Sequence, residues 1–167
     1  MLMLEILRSK FGGGVEEVSG FVGHAAFLVP AGLIREVSLF LKNDRDFGFD
    51  YLTCLSGIDR GKENPRFEVS YLISSLTSKE MIQLKVRVND GEPVPSVCDI
   101  WRTADWHERE AFDLLGIVFS GHPNLKRILL PEGWTGHPLR KDYVIADADK
   151  EPWEREESAR ESNEHGK

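Results

Sequence analysis

Hydrophobic positions recur along this chain with two different periods, and the changes of period divide it into elements. Leucines and Ile6 recur at helical spacing from Leu2 to Phe11, and the run stops at Gly12, Gly13 and Gly14, which predicts a first helix. "AAFLVP" reads as a short strand ended by Pro30. In "LIREVSLFLKNDRDFG", Leu33, Val37, Phe40 and Leu41 share one helical stripe, with Gly48 near the stop. The period then drops to two. "FDYLTCLSGID" is aromatic and β-prone, and Gly57 to Arg60 reads as a turn. "RFEVSYLIS" places Phe67, Val69, Tyr71 and Ile73 on one face. "EMIQLKVRVND" places Ile82, Leu84, Val86 and Val88 on one face, with Gln83, Lys85 and Arg87 opposite. Strict alternation marks an antiparallel hairpin buried on one side. Two helices are at hand to cover that side. The expected fold class is therefore α+β: a small, mainly antiparallel sheet with helices on one face, followed by a helix and an extended irregular C-terminal segment.

That later helix follows the linker "GEPVPSV", where Ser96 is a plausible N-cap for a short turn over "VCDIW". The spacing predicts a helix over Ala104 to Leu115, closed by Gly116. Beyond it, "IVFSGHPNLKRILLPEGWTGHPLRKDY" is rich in proline, glycine and bases and keeps neither period. Its only repeat is Gly-His-Pro, at 121–123 and again at 136–138. The organisation expected is an α+β core over 1–95, a helix and extended docking segment over 96–146, and a tail over 147–167.

Composition narrows the class. Hydrophobic residues make up 41% of the 167, which suits a single globular domain. No apolar run approaches the roughly 20 residues that span a bilayer. The apolar start carries Glu5, and its bases follow the apolar part, the reverse of a secretory signal, so a cytosolic chain is expected. Cys54 and Cys98 form no CxxC pair and read as small buried hydrophobes. A net charge of -7 disfavours nucleic acid as a partner. Part of that charge sits in the acidic tail, whose one large hydrophobe is Trp153; it is expected to be mobile unless a partner holds it.

Candidate chemistry concentrates between Asp105 and Asp113, "DWHEREAFD". A zinc-protease helix needs HExxH, and the position four after His107 is Ala111, so the motif fails. Paired carboxylates fail on geometry, since a helix turns about 100° per residue and points Glu108 and Glu110 about 200° apart. Glu108 falls on the stripe of Ala104, Ala111, Phe112 and Leu115 that should face the core. Glu110 falls with Trp106, Asp113 and Leu114. Arg109 lies four residues from both Asp105 and Asp113 and can pair along the helix. A carboxylate buried at Glu108 requires a hydrogen-bonded cation or a proton. Lys126, Arg127, Arg140 and Lys141 lie just downstream. The expectation is a clamp in which the helix holds the extended segment through carboxylate–arginine pairs, with Glu108 against Arg127 or Arg140. His122 and His137, each before a proline, read as turn residues meeting backbone carbonyls or a partner rather than as metal ligands. There is no Walker loop, GxGxxG, nucleophile elbow or cysteine cluster.

The stretch Glu108 to Tyr143, "EREAFDLLGIVFSGHPNLKRILLPEGWTGHPLRKDY", closely resembles the signature of the 30 kDa subunit of respiratory complex I, the family of C-type subunits of NADH–quinone oxidoreductases. Weaker similarity runs upstream through "FDYLTCLSGID", "FEVSYLIS" and "VPSVCDIWRTADW". The resemblance implies an α+β protein in the peripheral arm of a membrane-bound redox complex, on the cytoplasmic side of the membrane and attached to it only through the complex. It implies no catalytic residue, metal or cofactor on this chain, with flavin, iron–sulfur clusters and quinone on other subunits. The implied partner is the hydrogenase-like 49 kDa protein, the D-type large subunit, which forms much of the quinone pocket. Glu108, Arg109, Glu110, Asp113, Arg127, Arg140, Lys141 and Asp142 match the family pattern, and with His122 and His137 are expected to be structural and interface residues. Related subunits serve ferredoxin-, F420- and hydrogenase-linked complexes, so the electron donor stays open, and an autonomous small metal-binding protein is the remaining alternative.

Overall fold

The computed structural model describes residues 2–20 and 23–144. The acidic tail over 147–167 lies outside them.

The chain runs α1 (Leu2–Phe11), β1 (Glu16–Val18), β2 (Ala25–Leu28), a 3-10 turn (Ala31–Leu33), α2 (Ile34–Asn43), β3 (Tyr51–Asp59), β4 (Phe67–Ser74), β5 (Met81–Val88), β6 (Val94–Pro95), α3 (Ala104–Leu115) and β7 (Phe119–Ser120). β1 to β5 form one sheet in the order β1-β2-β5-β4-β3. Every pairing in it is antiparallel except β2 with β5, which are separated in sequence by α2 and the β3–β4 pair. The fold is α+β, with the helices gathered on the apolar side of a mostly antiparallel sheet.

Alternation in β4 and β5 builds the core. Phe67, Val69, Tyr71 and Ile73 are buried, and so are their neighbours Ile82, Leu84, Val86 and Val88. Opposite them lie Ser70 and Ser74 together with Glu68, which pairs with Arg87 across the strands at 2.8 Å. The side chains of Leu7 from α1, of Ile34, Val37 and Leu41 from α2, and of Ala104, Ala111 and Leu115 from α3 join one apolar cluster with this face. The buried face of α2 is centred on Ile34, Val37, Ser38 and Leu41, while Phe40 lies at its edge against Phe11 and Phe47.

Two sequence expectations need correction. Gly57 is not in a turn: β3 continues through it to Asp59, with Gly57 opposite Val69. The residue is glycine because α3 crosses the strand there, and a Cβ would stand 2.6 Å from Leu115 Cδ1 and 3.0 Å from Ile117 Cδ1. Nor are the cysteines fully buried. Both are half-exposed, and Cys54 Sγ lies 3.3 Å from the Ser56 hydroxyl.

α3 keeps the boundaries its sequence predicts, ending at Gly116 with φ 74° and ψ 20°. A side chain at that position would also meet Arg140 Nη2 and His137 Nε2, each at 2.6 Å. Strands β6 and β7, too short for any periodicity to announce, pair in parallel just before and just after the α3 region. They tie the linker entering the helix to the segment leaving it.

Candidate functional site

The inner face of α3 carries a buried acid. Glu108 is fully enclosed, one turn from Ala104 and Ala111. Its partners are not arginines. Oε2 accepts the Ser96 hydroxyl at 2.5 Å and Oε1 accepts the Val97 N–H at 2.7 Å. The pairing with Arg127 or Arg140 expected from sequence is therefore replaced by a tie to the linker preceding the helix. Burial pushes the Glu108 pKa up to about 7, the bonds from Ser96 and Val97 pull against it, and the nearby charges of Asp105 and Asp99 add to the rise. Among the described residues no lysine or arginine meets this carboxyl; the nearest basic group is His122, whose Nε2 stands 4.0 Å from Oε2, and the raised proton affinity follows from burial.

The arginine clamp exists, but Asp113 is its centre. Asp113 is fully buried. Its Oδ2 accepts three successive backbone N–H groups, from Ile128 at 2.8 Å, Leu129 at 2.7 Å and Leu130 at 3.0 Å. Its Oδ1 takes Arg127 Nη1 at 2.9 Å, and Arg127 also donates to the Gly136 carbonyl. Burial alone would raise the Asp113 pKa. The N–H groups of Leu129, Leu130 and Ile128, with Arg127, outweigh it and hold the carboxyl below the usual range. His137 Nδ1 meets the Asp113 carbonyl at 2.8 Å, closing the same junction. One carboxylate thereby fixes residues 127–130, which lie in no strand or helix.

A second junction ties the end of the segment to the β3–β4 hairpin and to the turn after β5. Arg140 donates to the Leu115 carbonyl at 2.7 Å and forks onto Asp90 at 2.9 and 3.0 Å, with its guanidinium over the Phe67 ring. Arg66 bridges Asp59 and Asp142, at 2.8 and 2.6 Å. The Lys141 backbone N–H, not its ammonium, reaches Asp59 at 2.8 Å. The bond from Arg66 holds the Asp59 carboxyl well below the usual range, against the effect of burial. Ser96, Asp59, Arg66 and Asp90 were not among the candidates read from sequence. Arg66 and Asp59 meet across the hairpin seven residues apart, but their ties to the segment, like those of Ser96 and Asp90, reach partners 12 to 82 residues away that no local pattern marks.

Cys98, Glu108 and His122 each offer a ligand atom, all within 4.8 Å of one another. The bonding pattern is that of a polar core rather than a metal centre. Asn124 N–H donates to His122 Nδ1 at 3.0 Å, which leaves the ring hydrogen on Nε2, directed at the Asp105 carbonyl 3.2 Å away. A cation on Nε2 would have to break that arrangement, and both Glu108 oxygens already accept hydrogen bonds.

What remains faces outward. Trp106 is 62% exposed, with Arg109 stacked over its ring at 4.9 Å and bonded to the Lys126 carbonyl. Arg109 therefore does not pair with Asp113 along the helix. Glu110, one turn beyond Trp106, is exposed and has no hydrogen-bonding or ionic partner among the described residues. It rims a notch of about 160 Å³ lined by Leu55, Ser56, Gly57, Ala111, Leu115 and Leu139, with His107 beside it. Leu139 is 59% exposed and Leu129 58%. Among the described residues, α3 carries no nucleophile–base pair. The arrangement is an irregular segment held rigid, presenting exposed apolar side chains around a free carboxylate.

The family model of the respiratory-chain NADH dehydrogenase 30 kDa subunit matches residues 27–149. The chain belongs to that family. Among its relatives, a C-type subunit of the NADH-quinone oxidoreductase of Rhizobium meliloti is 44% identical over 142 residues, covering 85% of this chain and 78% of that one. The C-type subunit of the Geotalea uraniireducens enzyme is 40% identical over 148 residues, covering 88% and 89%. Among solved structures, a trypsin-resistant fragment of Nqo5 is 29% identical with a TM-score of 0.63, covering 75% of this chain and all of the fragment. A chain of the membrane-bound sulfane sulfur reductase, an archaeal respiratory membrane complex, shares the fold at TM-score 0.70 and 23% identity, covering 86% of this chain and 85% of that one. Among the described residues of this 30 kDa-family chain, no helix is long and apolar enough to cross a membrane.

Proposed function

We propose that this chain is a non-catalytic peripheral-arm subunit of a membrane-bound, ion-translocating NADH–quinone oxidoreductase, on the cytoplasmic side, and that it supports the hydrogenase-like large subunit of the quinone site. The observation that carries the reading is the division of labour on α3. Glu108 and Asp113 are fully engaged inside the chain, while Trp106, Glu110 and Leu139 are left together on the outside. Exposed apolar side chains around a charged group, on a backbone already fixed, suit a preorganised docking surface. The two buried acids of α3 serve to set that backbone. Flavin, iron–sulfur clusters and quinone belong on neighbouring subunits in this account, and the isolated chain reacts with none of them.

Purification of the tagged chain from its own cells tests the proposal. The expected result is co-purification with a hydrogenase-like large subunit and its neighbours, while the separated chain is colourless and free of stoichiometric metal. Purification as a lone protein with a bound metal, or with a visible absorption band that survives dialysis, would overturn it.

A further inference from the structure

We infer that the notch between α3 and β3 receives a lysine or arginine side chain of the partner subunit, with Glu110 as its counter-ion. The inference rests on the docking role proposed above and names the chemistry at its centre. The cavity, about 160 Å³, is well below the roughly 300–1,000 Å³ of a small-molecule or cofactor site. It admits a side chain. Leu55, Ala111, Leu115 and Leu139 supply apolar surface to its lining, and Ser56 and His107 supply polar surface. Its rim carries the Glu110 carboxylate. A small notch with leucine side chains in its lining and a carboxylate at its mouth matches a side chain whose methylene groups lie along the leucines while its cationic head stays at the mouth beside Glu110.

The other occupants are disfavoured by the fate of Glu110. Docking over Trp106 and Leu139, which are 62% and 59% exposed, would take Glu110 out of water. A carboxylate desolvated without a cation is costly. Among the described residues no lysine or arginine pairs with it: at three and four residues from Glu110 along the helix stand His107, Asp113, Trp106 and Leu114, of which His107 shares the notch. The nearest arginine in sequence, Arg109, is bonded to the Lys126 carbonyl and stacked on Trp106, and Arg140 is forked onto Asp90. An apolar partner side chain would strand the charge, and an acidic one would be repelled by it. A cation supplied from outside satisfies both the charge and the shape, and an arginine could hold the carboxylate with two parallel bonds.

The test measures affinity for the co-expressed large subunit over a range of salt, using full-length wild type, Glu110→Gln, Glu110→Lys and Trp106→Ser, each first shown to melt like wild type. Glu110→Gln keeps the shape and removes the charge. The expected result is a loss of affinity of about thirtyfold or more with a flatter salt dependence, and no detectable capture for Glu110→Lys. If Glu110→Gln binds as wild type with the same salt dependence while Trp106→Ser binds weakly, the surface docks but the cation inference is wrong. If neither change weakens binding, the docking proposal falls with it.

Discussion

Glu108 and Asp113 sit five residues apart on one helix and solve the problem of a buried carboxylate in opposite ways. Asp113 gathers three backbone N–H groups and a guanidinium, so its charged form is favoured; Glu108 has a hydroxyl and one N–H, and burial wins. The sign of the pH effect at Glu108 follows. Its pKa of about 7 in the folded protein lies above the ordinary 4.5, so the native state holds the proton more tightly. The contribution to stability is complete below about pH 4.5 and is lost as pH rises through about 7. Glu108→Gln copies the protonated shape without the titration. The two proteins should melt together below about pH 4.5, and by pH 8 the glutamine variant should be the more stable by up to roughly 3 kcal/mol. Melting curves across that range check it, and a constant difference would contradict it. Asp113→Ala should be more damaging, at roughly 3–5 kcal/mol, because it strands a cation and three N–H groups. Amide exchange at Ile128, Leu129 and Leu130 should accelerate in that variant, and protection at the wild-type level would refute the clamp. Helical phase was enough to read Glu108 as buried among Ala104, Ala111 and Leu115. It could not supply the partner, because a serine hydroxyl and a backbone N–H leave no mark in a charge pattern. The burial of Asp113 was hidden for another reason: what covers it is the irregular segment, not the sheet.

At the scale of elements, α3 is positioned by what β3 lacks. Gly57 lets the helix approach until Leu115 Cδ1 would lie 2.6 Å from an added Cβ. Gly57→Val should force the two apart and cost about 1–3 kcal/mol by overpacking, read as a drop in melting temperature; an unchanged melt would mean that the contact is not tight. The same glycine shows where sequence reading stops. In a strand pattern it signals either a turn or a close backbone approach, and only the position of α3 decides between them. Long periodic elements were legible almost to the residue: α1, the β4–β5 hairpin, and α3 with its glycine cap. β1, β6 and β7, at two or three residues each, are too short to show a period, yet β6 and β7 brace the region on either side of α3.

Over the whole molecule, the α+β layer acts as a frame and the 30 kDa signature as a surface pinned to it. The pins are long-range: Glu108 to the linker, Asp113 to residues 127–130, and Arg66, Asp59 and Asp90 to residues 140–142. Sequence could suggest that acids of the helix hold bases of the segment. It could not show that the β3–β4 hairpin and the turn after β5 anchor residues 140–142, since Arg66 and Asp142 are 76 residues apart. A surface held this firmly pays little ordering entropy on association, so its exposed side chains should contribute to affinity without contributing to folding. The most direct test is capture of the large subunit by the double variant Trp106→Asp/Leu139→Asp, alongside wild type. The account predicts a folded chain with a melting temperature close to wild type that no longer retains the large subunit. Capture at the wild-type level by that folded variant would contradict it.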